Sequence, residues 1–200
     1  MPPILDISQL DLVHGNYSYA DYLTWKFEQT VELIKGKIMP MAAPSRRHQA
    51  ISWQLTLNIG NFFAKHLCRA YAAPFDVRLY DRKKSEKANQ DVFTVVQPDI
   101  CIICDLEKLD DKGCNGAPDL VIEILSPGNS NKEMKIKKEL YEESNISEYW
   151  IFDPERECAF QFHLTEEGVY SPATIYVKED IFQCVLFSDL SFPLSDIFVA

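Results

Sequence analysis

The chain has 200 residues, of which 46% are hydrophobic and 25% are charged, and its formal net charge is −10 at pH 7. No apolar run approaches the roughly 18 residues that a membrane span needs, and the first residues lack the basic segment and cleavage site of a signal peptide, so a cytoplasmic protein with no membrane partner is expected. The acidic balance argues against broad nucleic-acid binding, because proteins that neutralise phosphates usually have a basic surface.

The N-terminal third of the chain predicts a short helix, a hairpin and a long helix, in that order. Residues 17–27 predict the short helix, and VELIKGKIMPM, at 31–41, predicts a hairpin that turns near Gly36. Apolar residues then recur at helical spacing between 48 and 67, which indicates an amphipathic helix.

The middle of the chain predicts a sheet. Three strands are followed by a helix and a fourth strand, and S-N-K-E at 130–133 forms a capping box that opens this helix. A helix of this length joins parallel neighbours, while the first three strands can form an antiparallel meander. The predicted strands are 70–80, 95–105, 119–126 and 148–153.

This order of elements predicts the α/β class, a mixed sheet with helices on its faces. We expect a single domain over 1–200, with a core at about 48–153. The N-terminal helix and hairpin would occupy 1–47, and a C-terminal β extension would occupy 154–200.

The six cysteines show no framework spacing, and in a cytosolic chain all six are expected to be reduced. Cys101 and Cys104 form a C-x-x-C, a spacing that in redox proteins normally opens a helix. Here the pair lies within the strand-like segment DICIICD, so it predicts two core thiols and no redox or zinc site.

The predicted strand in PDLVIEILSP, at 118–127, carries Glu123 among apolar residues. An isolated ionised carboxylate in an apolar core is costly, so Glu123 must be paired, protonated or bound to metal. Asp99, near the start of the preceding strand, would lie within roughly 5 Å if the two strands are antiparallel neighbours. Two carboxylates that close repel each other unless a divalent cation lies between them, and Mg²⁺ suits one or two carboxylates plus waters.

Lys137 supplies a cation near the same strand. At about 100° per residue, Lys137 falls near the middle of the apolar arc of the following helix. A lysine in a buried stripe must reach solvent or meet a buried anion, and Glu123 is the obvious anion. A purely structural Glu123–Lys137 ion pair remains the alternative to a metal site. The arc consists of Met134, Ile136, Leu140 and Tyr141.

These features resemble a known pattern. P-D at 98–99, E-I-L at 123–125 and a lysine on the next helix, within the predicted element order, resemble the PD-(D/E)XK nuclease superfamily. More specifically, the chain resembles the Uma-type family of bacterial "putative restriction endonucleases" from about Tyr17 to Leu186. The segments that carry this resemblance are VELIKGKI, SRRHQ, QPDI, APDLVIEILSPGNS, KKELY and ISEYWIFDPE.

The resemblance implies a restriction-endonuclease-like fold with an αβββαβ core, and a Mg²⁺- or Mn²⁺-dependent endonuclease that hydrolyses DNA. Asp99 and Glu123 would be catalytic metal ligands, and the Ile124 carbonyl would be a third ligand. The family's usual lysine position is occupied here by Leu125, so Lys137 is expected to supply the catalytic lysine from the following helix. Superfamily nucleases that cut both strands are often dimers, which implies a homodimer.

Further residues matched by the resemblance have two interpretations each. Glu32 is either another acidic ligand or a surface glutamate on a half-exposed strand. His48, with Arg46 and Arg47, either binds a phosphate at a helix N-terminus or packs a loop. A basic rim around the cleft is expected from Arg46, Arg47, Arg78, Arg82, Lys83 and Lys84.

The acidic charge and Leu125 favour an alternative function. The chain would then be a catalytically inactive nuclease fold that acts as an interaction or regulatory protein.

Overall fold

The computed structural model describes residues 3–80, 92–126 and 131–199, and for 131–133 it describes the backbone alone. The expected capping box at 130–133 and the expected rim residues Arg82, Lys83 and Lys84 therefore lie outside the described residues. Among the described residues, no helix is long and apolar enough to cross a membrane.

The described residues include helices α1 to α3, strands β1 to β14 and short 3-10 helices. The helices are α1 Tyr19–Tyr22, α2 Arg46–Phe63 and α3 Asn131–Glu143. The N-terminal strands are β1 Val31–Ile34, β2 Lys37–Pro40, β3 Arg69–Ala72, β4 Val77–Leu79, β5 Thr94–Val96, β6 Ile100–Ile103 and β7 Leu109–Asp110. The remaining strands are β8 Gly113–Asn115, β9 Leu120–Ile124, β10 Glu148–Asp153, β11 Cys158–His163, β12 Thr174–Val177, β13 Ile181–Gln183 and β14 Ser191–Pro193.

The strands form two larger sheets and one small one. The core sheet has the order β12-β11-β10-β9-β6-β3, and the hairpin sheet has the order β2-β1-β5-β4-β8-β7. Strands β13 and β14 pair separately. In the core sheet β3, β6 and β9 are antiparallel neighbours, and β10 lies parallel to β9 after the α3 crossover. The predicted αβββαβ order and the α/β class are confirmed.

The two long helices cover opposite faces of the core sheet. Ile51, Leu55 and Ile59 of α2 pack in one apolar cluster with Ile122 of β9. Leu140 and Tyr141 of α3 pack in a second apolar cluster, with Val121 of β9 and Tyr149 of β10. Successive residues of a strand point to opposite faces, so β9 contributes to both clusters and is buried along its whole length.

The N-terminal hairpin forms as predicted. Strands β1 and β2 pair around Lys35 and Gly36, whose φ angles of 48° and 80° are those of a two-residue hairpin turn. However, β1 is buried at all four positions, which excludes the half-exposed strand of one of the two interpretations of Glu32. The reason is that β1 lies between β2 and β5 and is covered by residues from outside its own hairpin.

Two predicted strands are each divided between the two sheets. The segment 70–80 contributes β3 to the core sheet and β4 to the hairpin sheet, and 95–105 contributes β5 to the hairpin sheet and β6 to the core sheet. The breaks fall at Pro74 and at Pro98, and proline has no N–H to continue a strand ladder. As a result, Asp99 lies at the junction of the sheets, directly before β6.

The expectation that all six cysteines are reduced is wrong for one pair. Cys68 and Cys104 form a disulfide. The pairing of Arg69 with Ile103 across β3 and β6 brings these flanking residues side by side, although they are 36 residues apart in sequence. Cys101 is a free, buried thiol, as predicted.

Glu148, at the start of β10, connects the C-terminal segments to the core sheet. This carboxylate is 1% exposed and accepts hydrogen bonds from Trp150 Nε1 and Gln161 Nε2, each at 2.7 Å. It also accepts from the backbone N–H groups of Val185, at 3.1 Å, and Leu186, at 2.6 Å. The buried carboxylate is thus stabilised by neutral donors from three parts of the chain.

We predict that Glu148→Ala lowers the free energy of unfolding by at least about 3 kcal/mol, because each buried donor that loses its acceptor costs about 1–3 kcal/mol. Glu155→Ala, at an exposed position, is the control and should change stability by less than about 0.5 kcal/mol. Urea unfolding followed by circular dichroism measures both. Equal effects of the two substitutions would contradict this role of Glu148.

Candidate active site

Asp99 and Glu123 approach each other from neighbouring strands. In the antiparallel register of β6 and β9, Ile100 pairs with Ile122 and Cys101 with Val121. Continuing this register by one residue places Asp99 opposite Glu123, with both side chains on the same side of the sheet. The neighbouring antiparallel strands expected from the sequence are therefore present.

Lys137 reaches the same place from α3. Its Nζ lies 2.8 Å from Glu123 Oε1 and 2.9 Å from Glu32 Oε1. Tyr141, one helical turn further on, donates its hydroxyl to Glu123 Oε1. The expected Glu123–Lys137 contact is present, and it is part of a larger group that includes the first strand of the hairpin sheet.

Glu32 is buried and is not the surface glutamate of the alternative interpretation. It is 4% exposed, and its Oε1 accepts the backbone N–H of Gln97 at 2.9 Å as well as the Lys137 ammonium. The alternation of side chains along a strand predicts that one face of VELI is exposed to solvent. The core sheet instead covers the face that carries Glu32 and Ile34.

The Asp99 carboxylate is held from two sides. Its Oδ2 accepts the backbone N–H of Ile124 at 2.7 Å, and its Oδ1 lies 3.3 Å from His48 Nε2. His48 is in the first turn of α2, where its own N–H donates to the Ser45 hydroxyl at 3.2 Å. His48 Nδ1 is buried without a partner among the described residues. His48 therefore contacts a candidate metal ligand directly and does not only pack a loop.

The arginines expected beside the site point elsewhere. Arg46 is exposed, and the Arg47 guanidinium lies 3.6 Å from Glu157 and 3.7 Å from Glu155. Neither residue lines the cleft that contains Asp99. Residues 46 and 47 are two and one helical steps, about 100° each, before His48, so their side chains leave the helix in other directions.

Arg78, another expected rim residue, is buried in the hairpin sheet. It is 3% exposed and donates to Asp110 Oδ1 at 2.7 Å and to the Cys114 carbonyl at 3.3 Å. Its guanidinium also lies 5.3 Å from the centre of the Tyr19 ring. Arg78 thus has a structural role away from the cleft.

One open cleft of about 760 Å³ brings the candidate residues together. Asp99, Glu123 and Lys137 all line it, as do Glu32 and His48. Part of its wall is apolar and comes from residues 39–44 and from Ala73-Pro74. Leu125, at the family's usual lysine position, is half-buried against the apolar cluster on the α3 side of the sheet.

Burial and charge shift the protonation of the site. Burial raises the pKa of Glu123 from 4.5 to about 7; Lys137 lowers it, while Glu32 and Asp99 raise it. Burial lowers the pKa of Lys137, but the two glutamates raise it by more, so Lys137 remains a cation. The pKa of His48 is also raised, since burial lowers it but the contact with Asp99 outweighs that effect.

The oxygen donors of the site suit a small divalent cation. Within the described parts of the chain, no group of three or more His, Cys, Asp and Glu side chains is arranged to hold a metal ion. The candidate set is instead two opposed carboxylates, Asp99 and Glu123, with the Ile124 carbonyl beside them. Mg²⁺ is commonly bound by one or two carboxylates and otherwise by waters and substrate phosphates, so this set fits Mg²⁺ or Mn²⁺.

Sequence reasoning missed two residues of the site. The apolar arc of α3 includes Tyr141. Its position four residues after Lys137 places both side chains on one helix face, which indicates that they can share a partner. Gln97 donates through its backbone to Glu32 and through Nε2 to Asp76 Oδ1, at 2.8 Å. No periodicity marks Gln97, because it lies in the break between two strands.

Comparisons with known proteins show the family and the fold. The sequence matches the Uma2 family, whose description is "Putative restriction endonuclease", over residues 19–195. The fold is similar to a crystal structure of a protein from Anabaena variabilis described as "a putative nuclease", with a TM-score of 0.69 and 20% identity. That similarity covers 91% of this chain and 97% of the other. No curated protein matches the sequence significantly.

We predict that the metal-free protein loses stability as the pH rises. Glu123 has a higher pKa folded than unfolded, so it contributes stability that is complete below its ordinary value of 4.5 and is lost as the pH passes about 7. Glu123→Gln should therefore flatten the decline in unfolding free energy between about pH 5 and pH 8. A smaller decline should remain, because His48 also has a raised pKa.

Urea unfolding at a series of pH values tests this prediction. Glu28→Gln, at an exposed position, is the control and should keep the wild-type decline. A Glu123→Gln variant whose stability falls as steeply as that of the wild type would show that Glu123 does not change its protonation over this range.

Proposed function

Because the chain belongs to the Uma2 family, we propose that it is a Mg²⁺-dependent endonuclease that hydrolyses DNA phosphodiester bonds, with Mn²⁺ able to replace Mg²⁺. The observation that carries this proposal is that Asp99, Glu123 and Lys137 line one open cleft, although they come from three different elements. We further propose that the protein acts as a cytoplasmic homodimer, since cutting both strands of a duplex calls for two active sites.

Asp99 and Glu123 would hold the metal ion, together with the Ile124 carbonyl. The ion would supply charge for the scissile phosphate and a more acidic water. Different groups orient the two carboxylates. The Ile124 N–H and His48 orient Asp99, whereas Tyr141 and Lys137 orient Glu123 at a single oxygen.

Lys137 would act as a fixed positive charge. Its raised pKa keeps the ammonium protonated near neutral pH, so Lys137 is suited to donate hydrogen bonds and not to remove a proton. An ammonium in a partly buried site stabilises the negative charge that builds up on a phosphate under attack. This role agrees with its position, 19% exposed and facing the cleft.

An inactive nuclease fold that binds a partner is the second candidate function. The observation that favours it is the charge of the cleft. In the described residues that line the cleft, Lys137 is the sole lysine or arginine, and it is paired with two glutamates. Cleavage assays separate the two functions directly.

We predict that Lys137→Met reduces Mg²⁺- or Mn²⁺-dependent DNA cleavage by about 100-fold or more, because a charge that stabilises the transition state is removed. Lys135→Met is the matched control: this lysine is on the same helix, but its side chain is 75% exposed. Asp99→Asn leaves the Glu123–Lys137 contact in place and should reduce cleavage to a similar extent, because it removes a proposed metal ligand. Supercoiled and single-stranded DNA are both suitable substrates.

The possible outcomes separate the two functions. If Lys137→Met and Asp99→Asn both cleave DNA at the wild-type rate, the activity lies elsewhere in the protein. No cleavage by the wild type, with either metal and either form of DNA, would favour the inactive fold.

A second prediction tests whether Lys137 replaces the lysine usually found after the glutamate. Position 125 lies on the same strand face as Glu123, because side chains alternate along a strand. Leu125→Lys combined with Lys137→Met should recover cleavage by about tenfold over Lys137→Met alone, as the cation returns to the site. Leu125→Met in the same background is the control for repacking. Equal activities of the two double variants would argue against interchangeable lysines.

A further inference from the structure

The acidic side chains of the cleft differ in depth. The Asp99 side chain is 17% exposed, that of Glu123 is 11% exposed, and that of Glu32 is 5% exposed. A bound Mg²⁺ ion usually keeps several waters and contacts the substrate phosphate, so its ligands face the open side of the cleft. Glu32 is the least accessible of the three carboxylates and is the least suited to that position.

The contacts of Glu32 suit it to hold the Lys137 ammonium. Its Oε1 already accepts two hydrogen bonds, one from Lys137 Nζ and one from the Gln97 N–H, both at 2.9 Å. The Gln97 side chain is itself held, since its Nε2 donates to Asp76 at 2.8 Å and to the Tyr22 hydroxyl at 3.2 Å.

Lys137 needs an anchor other than Glu123. The oxygen of Glu123 that accepts from Lys137 also accepts from Tyr141, and the same carboxylate is a candidate metal ligand. Glu32 has no other partner among the described contacts than Gln97 and Lys137. It therefore provides a fixed negative charge for the ammonium from β1, a strand that carries neither Asp99 nor Glu123.

From these contacts we infer that Glu32 is a positioning residue that holds Lys137 in the cleft, and that Glu32 is not a third metal ligand. The inference rests on the proposed nuclease function and assigns Glu32 a place in it. The Gln97 backbone fixes Glu32, Glu32 fixes the ammonium, and Asp99, two residues after Gln97, lies on the same short segment. The position of the cation is thus connected to the position of the candidate metal ligand.

The first experiment is a calorimetric titration of Mn²⁺ into the DNA-free wild type, Glu32→Gln and Glu28→Gln. Glutamine keeps an acceptor oxygen for Lys137 and Gln97 but lacks the charge. Glu28 is an exposed glutamate that lines the same cleft, so it controls for the loss of one negative charge. Mn²⁺ affinity of Glu32→Gln within about twofold of the Glu28→Gln value supports the inference, whereas a loss of about tenfold or more beyond that value overturns it.

The second experiment is a double-mutant cycle on the cleavage rate at saturating DNA and Mn²⁺. Glu32→Gln should lower this rate by about tenfold in the wild-type background, and by less than about twofold in the Lys137→Met background, because it acts through the lysine. A full tenfold loss in both backgrounds overturns the inference. If the wild type cleaves no DNA, the proposed function fails, and the Mn²⁺ titration alone then decides whether Glu32 is a ligand.

Discussion

A half-buried lysine held between two glutamates determines the arrangement of this protein's cleft. Lys137 is carried by α3, Glu123 by β9 and Glu32 by β1, so the contact joins the crossover helix, the core sheet and the hairpin sheet. Removing any one charge would leave the others buried with an incomplete set of partners, which is strongly unfavourable. The two sheets and the helix must therefore meet at this point for the charges to be satisfied.

The path of the chain explains how the charges come together. The segments that contain Pro74 and Pro98 each leave one sheet and enter the other. The second of these crossings places Asp99 at the start of β6, opposite Glu123. A continuous strand through 95–105 would instead keep Gln97 and Asp99 in one sheet, and the Gln97 N–H would pair with a neighbouring strand. The interrupted strand leaves that N–H available to Glu32.

Much of this arrangement can be predicted from the sequence, and the limits have physical causes. Glu123 can be identified because a carboxylate within an apolar strand needs a partner. Lys137 can be identified because helical periodicity places this cation among apolar residues. Glu32 is not conspicuous, since its burial comes from a sheet that pairs distant segments. The disulfide of Cys68 and Cys104 and the salt bridges of Arg47 depend on similar long-range contacts. Local sequence patterns identify charged residues that require a partner in an apolar environment. Tertiary structure determines which residues those partners are.

We propose that Asp99 and Glu123 hold a divalent cation with Lys137 beside them. Anomalous X-ray diffraction from a crystal grown with Mn²⁺ and a short DNA tests it most directly. We expect an anomalous peak between the two carboxylates, about 2.1 Å from an oxygen of each, as hard oxygen ligands require, with Lys137 still bonded to Glu32. A peak bound by Glu32 in place of Asp99, or no peak in the cleft at saturating Mn²⁺, would contradict it.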